Sequence, residues 1–411
     1  MKLLIAIPAL NEESSIASVV EQCLAARATI IESTPVTDVS ITVVSDGSTD
    51  RTVERVKPFT DRVELIVFER NRGYGAAIME AWRRSDAELL AFLDADGTCD
   101  PRFFVALCGA LVGNGAHIAL GCRMHKGSQM PLVRRTGNTI FAGLLTALGS
   151  ERVRDSASGM RVIHRSCLRR LMPLPTGLHF TPAMSARAIL SDDLKIIEVD
   201  MPYRERAGRS KLNPVKDGFR FLRVILFAAL LYRPSRPLRI LGWAFTASAV
   251  FWAARLAWQL ARFHAWQEWM IYHFVVVQLS AVAGVLLFAA GHLGDKAVSI
   301  MLAGDPRGHT RDDLMGRLLA HRLFWLVPVL LIVAGTFVVA PAMIDYVATG
   351  RVDPTTHHWS RFFAMSFGYS IAFILAAARL IDITLDLLTD RLLYLRDQLD
   401  GESSGSPSLL R

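Results

Sequence analysis

Cysteine is scarce in this chain: Cys23, Cys99, Cys108, Cys122 and Cys167 are the only five among 411 residues. Their number is odd, and no CxxC or Cys/His ligand spacing occurs. That excludes a disulfide framework and a zinc site, and it implies free thiols in a reducing compartment. Helix-turn-helix, aromatic RNP and zinc-finger patterns are also lacking, so the formal net charge of +8 points to an anionic membrane surface and not to nucleic acid. No cleavable leader is expected: the apolar run of "MKLLIAIPALNEE" is short, is cut by Pro8 and is followed by acids. What the chain has in plenty is apolar sequence. At 52% hydrophobic residues it is too oily for a purely soluble protein, and its length exceeds one ordinary domain.

The texture changes near residue 213. Before it, the short apolar runs "LLIAI", "ITVV", "LIVF", "LLAFL" and "HIALG" alternate with stretches of helical period. Such alternation predicts an α/β domain over 1–212, a mostly parallel Rossmann-like sheet with helices on both faces. After it, apolar stretches at 240–261, 270–290, 323–344 and 362–378 are each long enough to cross roughly 30 Å of hydrocarbon. Four spans are therefore expected, in an α-helical membrane domain over 239–390. Arg255, Arg379 and Asp382 lie inside or at the ends of these stretches, to be read as snorkelling or interhelical pairing, or else as a lining for a lipid head group.

Residues 204–239 carry ten Lys or Arg against two acids, and the link between the second and third spans is also basic. By the positive-inside rule the N-terminal domain and the C-terminus are cytoplasmic, in a multi-pass protein. Between domain and first span, in 213–238, Lys216, Arg220 and Arg223 share one helical face while Phe219, Leu222 and Leu226 share another. This predicts an amphipathic helix lying against anionic membrane lipid. The Gly/Ser-rich end, within 391–411, is expected to be a disordered cytoplasmic tail.

Ligands of such a sheet bind outside the carboxyl ends of the strands. There the sequence places Asn11 and Glu12, then Asp46, then Asn71-Arg72-Gly73, then Asp94 and Asp96. The last two, in "FLDADGTCDP", are separated by one residue, and two carboxylates so close repel unless a cation joins them. Their hard oxygens suit Mg²⁺ or Mn²⁺. A DxD triplet alone is a weak signal, since acids near turns are usually only solvated; its place at a strand end strengthens it. The glycines of "NRGYGAA" read as turn and helix packing, with Arg72 near donor phosphates as the alternative. His357 and His358 read as loop, and His179 has no assignment.

"IPALNEE" (7–13), "VVSDGSTD" (43–50), "NRGYGAA" (71–77), "LDADG" (93–97), "DSASGMRVIHR" (155–165) and "RERAGRSKL" (204–212) resemble, in order, the motifs of family-two glycosyltransferases of the GT-A fold. More closely they resemble the polyprenyl-phosphate glycosyltransferases, the dolichyl-phosphate mannose synthase-like group, including members with C-terminal transmembrane helices. The resemblance implies that Pro8, Asn11, Glu12 and Asp46 contact the nucleotide and that Asp94 and Asp96 hold the metal. It implies that Asp155, Ser158, Gly159 and Arg161 surround the donor and acceptor phosphates, Asp155 and Arg161 catalytically. Arg123, Arg206, Ser210 and Lys211 match basic and polar positions beside the acceptor phosphate. Ser45 replaces an Asp of many members and Thr98 a Gln, which leaves nucleotide and sugar open.

The function expected is transfer of a sugar from a nucleotide-diphosphate sugar to a polyprenyl phosphate at the cytoplasmic membrane face, by metal-assisted displacement with inversion. A processive polysaccharide synthase is the alternative within the class, but its QxxRW motif is missing. A non-catalytic transport or lipid-binding protein that senses nucleotide sugar is the alternative outside it. Oligomeric state, a homo-oligomer included, is left open.

Overall fold

A computed structural model describes residues 1–149, 151–191, 193–204, 214–264, 267–302, 313–352 and 358–403. The chain divides into two compact units, Met1–Tyr232 and Arg233–Arg411. In the first, the five apolar runs become β1 (Lys2–Ala9), β2 (Asp38–Asp46), β3 (Glu64–Phe68), β4 (Leu89–Leu93) and β5 (Ile118–Cys122). Between them lie α1 (Ile16–Ser33), α2 (Thr52–Val56), α3 (Tyr74–Arg84) and α4 (Phe104–Gly113). After β5 come α5 (Leu132–Leu148), β6 (Met160–His164), α6 (Leu168–Leu171), α7 (Phe180–Leu190), β7 (Ile196–Asp200) and α8 (Pro214–Tyr232).

The seven strands form one sheet in the order β3-β2-β1-β4-β6-β5-β7. β6 runs antiparallel to β4 and β5, and every other pairing is parallel. The mostly parallel α/β class is thus the one observed. β1 has no polar side chain from Leu3 to Ala9, as a central strand covered on both faces requires. Its alternate residues enter two cores. Leu3, Ile5 and Ile7 pack in the layer that contains Val20, Phe104 and Leu107; Leu4 and Ala6 pack in the layer of Trp82, Phe180 and Ile225.

Ile225 belongs to α8, the helix that the sequence separates from the domain. With Ala228 and Ala229 it is buried in the sheet's own core, and α8 packs on α7 and α5. Burial of one such aliphatic side chain contributes about 1.5–3 kcal/mol, enough to make α8 part of the unit. The unit therefore extends to Tyr232 and not to 212. Phe219, Phe227, Leu230 and Leu231 of the same helix remain exposed, so α8 has two apolar faces with different surroundings.

The second unit contains α9 (Ser235–Phe263), α10 (Ile271–Leu302), α11 (Leu314–Leu319), α12 (Leu326–Thr349) and α13 (Ser360–Ser403). Among the described residues, Ser235–Phe263, Glu268–Met301 and Leu326–Thr349 are long and apolar enough to cross a membrane. They overlap the first three expected spans. The fourth stretch, 362–378, lies in the first half of α13, which runs on to Ser403. Residues 391–403 are therefore helical, where a disordered tail is expected from composition; polar helices of charged and leucine residues are not excluded by low hydrophobicity alone.

α10 packs along α9 and α13, and α12 packs along α13. Small polar contacts join them, Ser248 Oγ to Ser280 Oγ at 3.3 Å and Gln278 Nε2 to Ser366 Oγ at 2.9 Å. A buried ionic network ties α10 to α13 and to the residue that caps α11. His292 faces Asp313 at 3.0 Å and Asp382 at 3.3 Å, Lys296 reaches Asp382 and also Asp386 at 2.9 Å, and Arg379 donates to Asp382 at 2.6 Å. Asp382 is thus paired between helices, with His292 and Lys296 of α10, whereas Arg379 pairs with it inside α13.

Candidate active site

Four strand ends converge on one edge of the sheet, each held by local bonds. After β1, Asn11 takes a left-handed backbone, φ 50°, which asparagine tolerates. Its Oδ1 accepts from the Thr49 N–H at 2.8 Å, tying the loop after β1 to the loop after β2. At the end of β2, buried Asp46 accepts from the N–H groups of Arg72 at 2.6 Å and Gly73 at 3.0 Å. A carboxylate there satisfies donors at the start of α3 and complements the helix dipole. Gly73 has φ 107°, and a Cβ on it would lie 2.4 Å from the Thr176 carbonyl oxygen, so only glycine serves this turn.

Asp94 and Asp96 follow β4. The Tyr74 hydroxyl donates to Asp94 Oδ1 at 2.6 Å. The tyrosine ring is fixed edge-on against Phe92 and Phe180, with centroids 6.4 Å away in both cases. Burial, and then the Asp94 charge, push the Tyr74 phenol well above its ordinary pKa, so it stays a donor. On the other side Gly159 closes against Asp94: a Cβ there would stand 1.9 Å from Asp94 Oδ2. Asp96 Oδ1 accepts from the Thr98 hydroxyl at 2.7 Å and the Thr98 N–H at 3.2 Å. Thr98 therefore orients the second carboxylate.

The loop bearing Gly159 is locked on every side. Ser158 Oγ donates to the Gly121 carbonyl at 2.6 Å, and Ser185 Oγ donates to the Ser156 carbonyl at 2.8 Å. Asp155, 0% exposed, forms a two-pronged ion pair with Arg123, at 2.7 Å from Nε and 2.8 Å from Nη2. Burial opposes ionisation of Asp155, but the Arg123 guanidinium outweighs it and holds the carboxyl below its usual range. Arg161 is also 0% exposed; its Nε donates to the Ser158 carbonyl at 3.1 Å and its Nη2 to the Ser156 carbonyl at 2.9 Å. Burial pushes Arg161 down to about 10, still charged near neutral pH. Its Nη1 is buried without a partner.

A cavity of about 790 Å³ opens over this edge. Of the candidate residues, Pro8, Glu12, Asp46, Asp94, Asp96 and Arg123 line it. Asn11, Arg72, Asp155, Ser158 and Arg161 do not. For Asp155 and Arg161 the reason is complete burial: their bonds go to Arg123 and to the carbonyls of the loop that bears Gly159. Arg72 lays its guanidinium over the Phe68 ring, 4.5 Å from the centroid. Arg206, Ser210 and Lys211 lie outside the described residues.

The cavity is also lined by α5, the residues just before it, and α8. Met130, Val133, Phe141 and Phe221 make this lining apolar, and Arg134 and Arg220 add charge. Tyr74, Arg134 and Arg220 are absent from the sequence candidates. Tyr74 carried a signal, an aromatic residue between two glycines just after a strand; the arginines carried none beyond a basic helix.

Asp94 and Asp96 fit a hard divalent cation by donor type. No group of three or more His, Cys, Asp or Glu side chains with ligand spacing occurs among the described residues. A pair of carboxylates leaves coordination positions for water and phosphate oxygens, the habit of Mg²⁺ and Mn²⁺ and not of a closed structural zinc site.

Residues 4–172 match the family model described as glycosyl transferase family 2. The chain is 31% identical over 242 residues to the low-salt glycan biosynthesis hexosyltransferase Agl6 of Haloferax volcanii, across 57% of this chain and 55% of that protein. It is 33% identical over 215 residues to a dolichyl-phosphate hexose transferase of the same organism, across 51% of this chain and 85% of that one. A solved glucosyl-3-phosphoglycerate synthase from Mycobacterium tuberculosis, in complex with Mn²⁺, uridine diphosphate and glucosyl-3-phosphoglycerate, matches with 21% identity and a TM-score of 0.41. That match covers 56% of this chain and 78% of the synthase.

Proposed function

The chain belongs to glycosyl transferase family 2, and from that membership we propose that it moves one sugar from a nucleotide-diphosphate sugar to a polyprenyl phosphate, yielding a polyprenyl-phosphate sugar. The single observation that carries this is the cavity itself. One wall is the strand-end edge with Asp46, Asp94 and Asp96; the other is the apolar, arginine-bearing wall of α5 and α8. A polar donor and a greasy phosphorylated acceptor need those two walls in one space.

The acceptor supplies its own nucleophile. A phosphate monoester has a second pKa of about 6, so near pH 7 most of it is the dianion and no strong general base is required. The protein's part is to align that oxygen with the anomeric carbon, offset repulsion between the two substrates' phosphates, and hold the leaving diphosphate. Pro8, Glu12 and Asp46 line the donor end. Asp94 and Asp96 would hold Mg²⁺ or Mn²⁺, which when bound neutralises charge on the departing nucleoside diphosphate. Tyr74, Thr98 and Gly159 keep the two carboxylates in place, and the buried pair Asp155–Arg123 and buried Arg161 keep Gly159 in place. Direct displacement by the acceptor inverts the sugar.

The exposed apolar residues of α8, followed by three helices of membrane-crossing length, support reaction at a bilayer surface. The basic residues flanking these helices support a multi-pass topology with the catalytic unit and the end of α13 in the cytoplasm, the 362–378 stretch serving as a fourth span.

A panel of radiolabelled nucleotide sugars incubated with membranes and extracted into organic solvent tests the reading. Label in an extractable lipid supports it. Label in polymer indicates a processive synthase, and label in neither phase indicates a sensor; either result removes the proposal.

A further inference from the structure

We propose that Arg220 on α8 determines acceptor specificity: braced by buried Asp217, its guanidinium takes the phosphate of the lipid acceptor and distinguishes a prenyl phosphate from a prenyl alcohol. This rests on the acceptor reading above.

The sequence pattern puts Arg220 with Lys216 and Arg223 on one basic face, as though all three met lipid head groups. The structure separates them. Arg223 lies over the Phe227 ring, 5.1 Å from its centroid, whereas Arg220 lines the cavity beside Gly218 and Phe221. One of its five N–H donors goes to Asp217 Oδ1 at 3.0 Å, and its side chain is 51% exposed. Asp217 is 3% exposed. A carboxylate buried to that degree on an otherwise amphipathic helix is costly unless it is paired. Its effect is to hold the guanidinium in one orientation, so that little side-chain freedom is lost when an anion arrives.

The other cations near the cavity are differently placed. Arg134 of α5, which also lines it, is directed to the Tyr203 hydroxyl at 3.5 Å and has no carboxylate brace of the Asp217 kind among the described residues. Arg123 spends both prongs on Asp155, and Arg161 is sealed beneath the loop. His179, within reach of the Asp217 and Arg220 charges, has its pKa lowered by burial and then by Arg220, so it is neutral near pH 7 and adds no charge of its own. Arg220 thus brings a cation, held on one side by Asp217, to the apolar wall formed with Phe141 and Phe221, whose rings meet at 5.8 Å. A phosphate at the end of a prenyl chain needs that combination of charge and apolar surface.

The test uses the purified full chain in neutral detergent, so that anionic lipid plays no part. Binding of farnesyl phosphate and of farnesol is measured by calorimetry, and transfer kinetics are measured with the donor that the wild type accepts. For Arg220→Gln, farnesyl phosphate binding weakens by about tenfold or more, as expected for loss of a charged hydrogen bond. Acceptor KM rises in step, while farnesol binding and donor KM stay unchanged. Arg220→Lys keeps the charge and recovers part of the loss; Asp217→Asn, which removes the brace, lies between wild type and Arg220→Gln. Equal binding of farnesyl phosphate by Arg220→Gln and wild type overturns the inference, as does an equal loss for farnesol, which signals a distorted helix. Failure of the wild type itself to transfer to any prenyl phosphate would instead remove the underlying reading, and this inference with it.

Discussion

Replacing Gly159 by alanine is the sharpest perturbation of the site, because its consequence is geometric. The added Cβ would lie 1.9 Å from Asp94 Oδ2, 2.4 Å from its Cγ and 2.8 Å from Oδ1. Ordinary contact begins at 3.4 Å, so carboxylate and loop must part by about 1.5 Å. The loop cannot yield easily: Ser158 is bonded to β5, Ser156 to α7 and Arg161, and Asp155 to Arg123. Asp94 therefore moves, breaking the Tyr74 bond. A displacement of about 1 Å in a reacting group can cost 100-fold in rate, which corresponds to about 2.7 kcal/mol of transition-state stabilisation. Overpacking a buried position costs about 1–3 kcal/mol, so the variant is destabilised while the anchors of the loop to β5 and α7 keep it folded. The expected result for Gly159→Ala is a fall of at least about 100-fold in kcat/KM in a purified protein that still folds cooperatively, with a lowered melting temperature. Wild-type kcat/KM in a folded Gly159→Ala protein would refute the idea that this loop positions Asp94.

Asp96→Ala abolishes transfer in a purified variant that still folds and inserts; full activity of that variant would dispose of the metal assignment. Tyr74→Phe removes a hydrogen bond to a charged group, worth about 1.5–3 kcal/mol, and weakens Mn²⁺ binding by about tenfold or more, read by titration of the metal without substrates. Asp155→Asn leaves Arg123 charged and buried, a loss of about 3–5 kcal/mol visible in chemical denaturation. Because Asp155 has a depressed pKa in the folded state, its contribution is fully present above the unfolded value of about 3.9. That contribution disappears as pH falls through the lower folded value, so Asp155→Asn flattens the acid limb of the stability profile. In the second unit, Asp382→Asn strips Lys296 and Arg379 of a buried partner and lowers the melting temperature in detergent; an unchanged melting temperature would show that the network does not hold α10 to α13.

The sheet was legible because its strands are buried on both faces. Leu3–Ala9, Leu89–Leu93 and Ile118–Cys122 contain nothing that would tolerate water, and short apolar runs between turns have few other readings. The strand ends were legible for the complementary reason: Asp46, Asp94 and Asp96 are polar residues where an apolar run stops. β6 was hidden, since five residues inside a motif of small and polar residues give no sign of antiparallel insertion. The place of α8 was hidden too. An amphipathic pattern identifies an apolar face but not its partner, and Ile225, Ala228 and Ala229 turn to the domain while Phe219 and Leu230 do not.

Roles were less legible than positions. Asp155, Arg123 and Arg161 stood out as charged residues in a motif, yet the structure separates them: Arg123 lines the cavity, whereas Asp155 and Arg161 are sealed beneath it and bonded to Arg123 and to the Gly159 loop. One-dimensional spacing cannot separate an arginine in a cavity wall from one beneath it. The same limit hid Tyr74, whose hydroxyl reaches Asp94 only because Phe92 and Phe180 aim its ring.

Mass spectrometry of the lipid product tests the central claim most directly. The purified chain is incubated with a prenyl phosphate, a nucleotide-diphosphate sugar that it accepts and Mg²⁺ or Mn²⁺, and the organic extract is weighed against the starting lipid. The account predicts a single new species heavier by one glycosyl unit, matched mole for mole by released nucleoside diphosphate. A ladder of added sugars, or nucleotide release with the lipid unaltered, would contradict it.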